Sequence, residues 1–100
     1  MLYCPNCHRL CHEDRCDECS RVLTRGPEPE DFCLLIELGA LEGGMLRGLL
    51  EENGIPVASR TVLGAALMML AGSATEHVQL FVPFRCFEQA QDLMAAFFGV

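Results

Sequence analysis

The chain of 100 residues carries 14 acidic and 7 basic side chains, a formal charge of −7 with histidine neutral. That length holds one ordinary domain or two very small ones. With 51% hydrophobic residues, the composition is that of a folding chain rather than a disordered one. Every basic residue is an arginine, which excludes a Walker A phosphate loop, a Schiff-base lysine and a lysine-rich nucleic-acid patch. The acidic balance argues against non-specific binding to nucleic acid, which needs clustered positive charge. The longest uncharged apolar stretch, Val62 to Gly72, has 11 residues and is too short to span a bilayer. No basic flank and apolar run open the sequence as a secretory signal would. A cytoplasmic protein without a membrane or nucleic-acid partner is expected.

The seven cysteines divide the chain. Five of them, Cys4, Cys7, Cys11, Cys16 and Cys19, fall within the first 20 residues, and Cys33 and Cys86 stand apart. In a chain without a secretory signal, such crowding points to a metal site in a reducing compartment rather than to disulfides. Cys4-Pro-Asn-Cys7 and Cys16-Asp-Glu-Cys19 form the pattern C-x2-C-x8-C-x2-C. Each pair makes a tight turn that can aim two thiolates at one ion, and four sulfurs in tetrahedral array suit zinc. Cys4, Cys7, Cys16 and Cys19 are therefore the expected zinc ligands. The spacer of eight is shorter than in many zinc ribbons and implies a minimal ribbon over residues 1–25, with one short hairpin between the knuckles. A segment this short cannot bury a core, so its fold depends on the metal. His8, Cys11 and His12 lie between the pairs, and a set of Cys4, Cys7, His12 and Cys16 is chemically allowed. The all-cysteine set is preferred because it completes both knuckles. Cys11 then reads as a spare thiol, and His8 as a ring facing solvent or bonded to a sulfur. The ribbon's arginines and acids balance four against four, so a four-thiolate zinc centre would leave it negative. That makes it a poor nucleic-acid ribbon.

Residues 26–30, Gly-Pro-Glu-Pro-Glu, read as an extended, solvated linker. All of the net charge lies from Gly26 onward, where three arginines face ten acids. Residues 31–100 read as a second domain of order β-α-β-β-α. Asp31 to Leu38 is nearly all apolar and predicts a strand buried on both faces. Leu41 to Asn53 predicts a helix whose Leu41, Met45, Leu46, Leu49 and Leu50 form the buried face. Asn53-Gly54 stops it and Pro56 prevents its continuation. Ile55 to Arg60 predicts a short edge strand, and the alternation from His77 to Val82 a third strand ended by Pro83. A last helix follows, burying Phe87, Ala90, Leu93, Met94 and Phe97. The expected class is α+β.

The run GLLEENGIPV after a strand, then VQLFVP and a helix containing FEQAQDLM, resembles a bacterial family of signal-transducing proteins whose domain has no assigned activity. The resemblance covers residues 31 to 96. It implies a reduced ferredoxin-like fold, distantly similar to the nitrogen-regulatory PII proteins, and a regulatory binding role. The leading segment resembles a small zinc ribbon. The apolar insert over residues 61–76 departs from the family pattern.

Other groups read more simply as structure. The four glycines of LGALEGGMLRG surround a strand-to-helix junction, where free N–H groups can cradle a phosphate, but Glu37 and Glu42 oppose an anion there. Cys33 sits in an apolar strand as a small hydrophobe, Cys86 opens a helix, and Glu76-His77 borders a strand. No acid, base and nucleophile converge, so no enzyme is expected. The preferred function is a non-enzymatic zinc-binding regulatory or adaptor protein that acts through protein contacts. The alternative is a metabolite sensor binding at the glycine-rich junction or an oligomer interface. A ferredoxin-like domain places a fourth strand beside its first, and this sequence has none to offer. The first strand is thus an apolar edge, to be covered by a second copy in a homodimer, by the insert or by the ribbon.

Overall fold

The computed structural model describes residues 1–63 and 76–99, which form an α+β molecule with two sheets and two helices. In the amino-terminal part, β1 (Leu2–Cys4) and β2 (Arg9–Cys11) pair antiparallel, Leu2 opposite Cys11 and Cys4 opposite Arg9. A second, smaller hairpin follows. Arg15 bridges Val22, the Cys16 N–H donates to the Arg21 carbonyl, and the Leu23 N–H donates to Asp14. Each hairpin turns on one Cys-x-x-Cys pair. The sequence suggested a single hairpin between the knuckles, whereas the knuckles are themselves the turns. The spacing hid this because a two-residue gap between thiols is as short as a hairpin turn.

The larger sheet contains β3 (Phe32–Gly39), β4 (Ala58–Leu63) and β5 (Glu76–Pro83) in the order β3-β5-β4, antiparallel throughout. Helix α1 (Ala40–Glu52) follows β3, and α2 (Phe87–Phe97) follows β5 after a 3-10 turn, Phe84–Cys86. Gly54, at φ +77°, ends α1 in the left-handed conformation that glycine adopts without strain. Both helices cover one face of the sheet. There Leu46, Leu50, Leu80, Val82 and Ala90 are fully buried, with Leu93, Met94 and Phe97 packed on them. Gly43 allows α1 to lie close to the sheet, since a Cβ at that position would sit 3.2 Å from the Val78 Cβ.

Three expectations about burial change. The strand buried on both faces is β5, whose Gln79, Leu80, Phe81 and Val82 are all inaccessible. In β3 only Cys33 is fully buried and Glu37 is exposed. The alternation of β5 predicted one wet face, but the ribbon lies against that face and excludes water from it. On α1 the buried stripe is Gly43, Leu46 and Leu50, while Leu41 is 78% exposed and Met45 57% exposed. The close approach at Gly43 rotates the helix so that the glycine faces the sheet and Leu41 and Met45 face away. The second strand runs Ala58–Leu63 rather than Ile55–Arg60, so residues 61–63 of the apolar insert extend β4, and its last residue, Glu76, opens β5. The remainder of the insert lies outside the described residues.

Residues 26–30 do not run free between the parts. The Arg85 N–H donates to the Pro29 carbonyl, the Phe84 N–H to that of Asp31, and Glu30 pairs with Arg85 at 2.8 Å. Asp31 in turn accepts from the Glu28 N–H and from Arg25, each at 2.8 Å.

Candidate metal centre

The two knuckles are built alike. In the first, the chain turns over Pro5–His8, and the His8 N–H returns to the Cys4 carbonyl at 2.7 Å. In the second, the Ser20 N–H returns to the Cys16 carbonyl at 2.8 Å. His8 (φ +58°) and Ser20 (φ +60°) are the two non-glycine residues in the left-handed region among those described. Each stands directly after the second cysteine of its pair. That residue must reverse the chain so that both sulfurs project to the same side. Non-glycine residues adopt this conformation at a cost, and the repeated carbonyl bonds hold it in place. Sequence reading missed this role, because the usual signal is a glycine and neither position has one.

The result is a convergence of four sulfurs. The Sγ atoms of Cys4, Cys7, Cys16 and Cys19 all lie within 4.8 Å of one another, and those of Cys4 and Cys19 are 3.7 Å apart. A regular tetrahedron with metal–sulfur bonds of ~2.3 Å has sulfur–sulfur edges of about 3.8 Å. The cluster therefore needs only a slight contraction to close on one ion. Cys4 and Cys16 are buried, while Cys7 and Cys19 are half-exposed. All seven cysteines are free thiols.

Backbone dipoles already favour thiolate in the second knuckle. The Cys19 amide donates to the Cys16 sulfur and lowers its pKa to about 6 against the opposing effect of burial, with the Glu18 amide adding to the shift. The Arg21 amide lowers Cys19 in the same way. Burial, followed by the neighbouring thiols of Cys19 and Cys16, pushes Cys7 up to about 12. Four thiols this close cannot all ionise unless a cation offsets their mutual repulsion. That is the property of a cation site. The four could hold a metal ion, and they are the residues singled out by the paired spacing.

The other amino-terminal candidates are placed elsewhere. His12 is exposed and stands outside the four-sulfur group. Cys11 is buried beside Cys16, where burial raises its pKa, and it too lies outside the group. His8 neither faces solvent nor bonds a sulfur. Its Nδ1 lies 2.8 Å from the Tyr3 hydroxyl, which donates its one hydrogen to the Phe32 carbonyl at 2.7 Å. The His8 Nδ1 must then carry the proton and donate to the Tyr3 oxygen. Its ring meets Phe81 edge-on at 5.8 Å. Below this contact, Arg60 gives its Nε and Nη2 hydrogens to Gln79 Oε1, and Gln79 Nε2 donates to Glu37 at 2.9 Å.

Of the remaining candidates, Cys33 and Cys86 are buried, and desolvation pushes Cys33 up to about 11, the behaviour of a packed thiol. His77 is exposed. At the glycine-rich junction Gly43 serves packing, and Gly39 caps α1 without a side-chain bond. No helix among the described residues is long and apolar enough to cross a membrane. Searches of family models, curated proteins and solved structures find no match to this chain.

Proposed function

We propose that the protein is a zinc-binding, non-catalytic regulatory or adaptor protein of the cytoplasm. The observation that carries this reading is the convergence of the four sulfurs within 4.8 Å. An all-thiolate donor set favours zinc over hard cations such as magnesium and calcium. A closed set of four protein ligands leaves no position for a reacting water, which suits a structural ion and not a catalytic one. The ribbon's interior supports the same conclusion, since Leu23 is the one aliphatic side chain fully buried among Cys4, Cys11 and Cys16. A core of that size does not fold without a crosslink. Seven unbridged thiols suit a reducing compartment.

The carboxy-terminal part follows the order β-α-β-β-α with its first strand beside its third. That arrangement supports a reduced ferredoxin-like domain and kinship with the signal-transducing family. The inferred partner is a protein, in the simplest case a second copy of the chain. Leu41 and Met45, exposed on α1, are side chains of the kind that protein partners cover.

Elemental analysis of protein purified without chelator tests the reading, with one zinc per chain expected. The substitutions Cys4→Ser and Cys16→Ser should each abolish stoichiometric binding. Less than about a tenth of an equivalent of zinc in the parent protein would refute the metal assignment.

A further inference from the structure

We propose that the ion in the four-cysteine centre holds the ribbon on the outer side of β3, with His8 as the relay, so that losing the ion opens this strand edge. The inference rests on the metal reading above and adds a regulated surface to it. It begins from where the ribbon touches the sheet. The N–H of Leu34, the third residue of β3, donates to the His8 carbonyl at 2.7 Å. Strand β5 takes the other side of β3. His8 therefore stands where another strand would pair.

The contacts that hold it there come from the residues just outside the first knuckle. Tyr3 precedes Cys4 and His8 follows Cys7. The Tyr3 hydroxyl bonds the Phe32 carbonyl, the His8 ring bonds the Tyr3 hydroxyl, and the same ring packs on Phe81. An ion bound to Cys4 and Cys7 fixes the distance between these two docking residues. It also fixes the left-handed turn at His8 that points its carbonyl at Leu34. Without an ion, that unfavourable turn is left to the hydrogen bonds around it, chiefly from the His8 N–H to the Cys4 carbonyl and from the Cys7 N–H to the Cys4 sulfur.

Cavities of about 220 Å³, beside Cys7 and Arg60, and about 240 Å³, beside His8 and Phe81, flank the contact. The ribbon can separate from β3 while the sheet persists, because the helix-covered core of Leu46, Leu50, Leu80 and Val82 lies on the opposite face. What opens is the Phe32–Gly39 edge, with its Leu34 N–H unpaired and Phe81 uncovered.

Amide hydrogen exchange by NMR on the full chain tests this, comparing the zinc-loaded protein with the same sample stripped by EDTA. Zinc content is measured in both. Removing zinc should speed exchange at Leu34 and Tyr3 by about 10-fold or more, while Leu80 and Val82 in β5 stay protected. With zinc bound, His8→Asn should also speed exchange at Leu34, since asparagine tolerates the left-handed backbone but lacks the ring that packs on Phe81. Two results would overturn the gate. Leu34 could stay protected without zinc, or Leu80 and Val82 could lose protection together with it. If the parent protein binds no zinc at all, the metal reading itself fails and the gate falls with it.

Discussion

Replacing Tyr3 with phenylalanine removes one oxygen from the seam between ribbon and sheet and leaves the shape almost unchanged. Tyr3 is 3% exposed, and its hydroxyl bonds the Phe32 carbonyl at 2.7 Å and the His8 ring at 2.8 Å. Both partners lose their bond at once. A buried polar group left unsatisfied costs about 1–3 kcal/mol. Phe32 and His8 are each half-buried, so water that reaches one of them keeps the total within that range. For a chain of this size the loss corresponds to a fall in Tm of roughly 5–20 °C. The assay is thermal and guanidinium unfolding at saturating zinc, with zinc content checked by elemental analysis, because Tyr3 is not a ligand and stoichiometry should not change. Combining Tyr3→Phe with His8→Asn isolates their mutual bond, and a coupling of about 0.5–1.5 kcal/mol is expected. A Tyr3→Phe protein within 0.3 kcal/mol of the parent (about the resolution of such measurements) would refute the reasoning, because the hydroxyl would then not be buried against these partners.

Cys11→Ser should retain a full equivalent of zinc, as read by elemental analysis, because Cys11 stands outside the four-sulfur group. In α1, Gly48→Ala adds a methyl to open space and should raise stability by about 1 kcal/mol in denaturant titration. Gly43→Ala drives its methyl to 3.2 Å from Val78 and should fall below Gly48→Ala by about 1–3 kcal/mol. Hydrogen bonds from Arg25 and then from the Glu28 amide hold the Asp31 carboxyl below its ordinary pKa. Its contribution to stability is therefore complete above the unfolded value near pH ~3.9 and is lost as pH falls from there through the lower folded value. Asp31→Asn should flatten that acid limb in a series of denaturation curves.

The four-cysteine cluster was more legible in the sequence than the larger sheet beside it. Paired C-x2-C turns are local, and local geometry alone brings Cys4 to Cys7 and Cys16 to Cys19. The backbone that aims them was not legible, because His8 and Ser20 adopt a conformation that their residue types do not advertise. The elements β3, α1, β5 and α2 followed from apolar runs and stop signals such as Asn53-Gly54. Their exposure did not. Whether Leu41 faces the core depends on how closely α1 approaches Val78, and whether Phe81 is wet depends on the ribbon's His8, more than 70 residues earlier in the chain. Periodicity identifies a face, but only tertiary packing decides what covers it. His8 is the clearest case. As a residue beside a ligand it read as a ring facing solvent or bonded to a sulfur, yet its bonds run to Tyr3 and Leu34.

The strand order β3-β5-β4 also bears on how the molecule is made. The strand that joins the sheet, β5, is the last of the three to be synthesised, so β3, α1 and β4 emerge from the ribosome with no sheet to enter. The four thiols and Leu23 have all emerged well before that. A nascent chain therefore carries all four of these cysteines while its hydrophobic core is still unassembled. Docking of the ribbon has to wait longer, because Phe81, which meets the His8 ring, belongs to that same late strand. If the four thiols take up an ion, they can do so before the sheet closes on the ribbon.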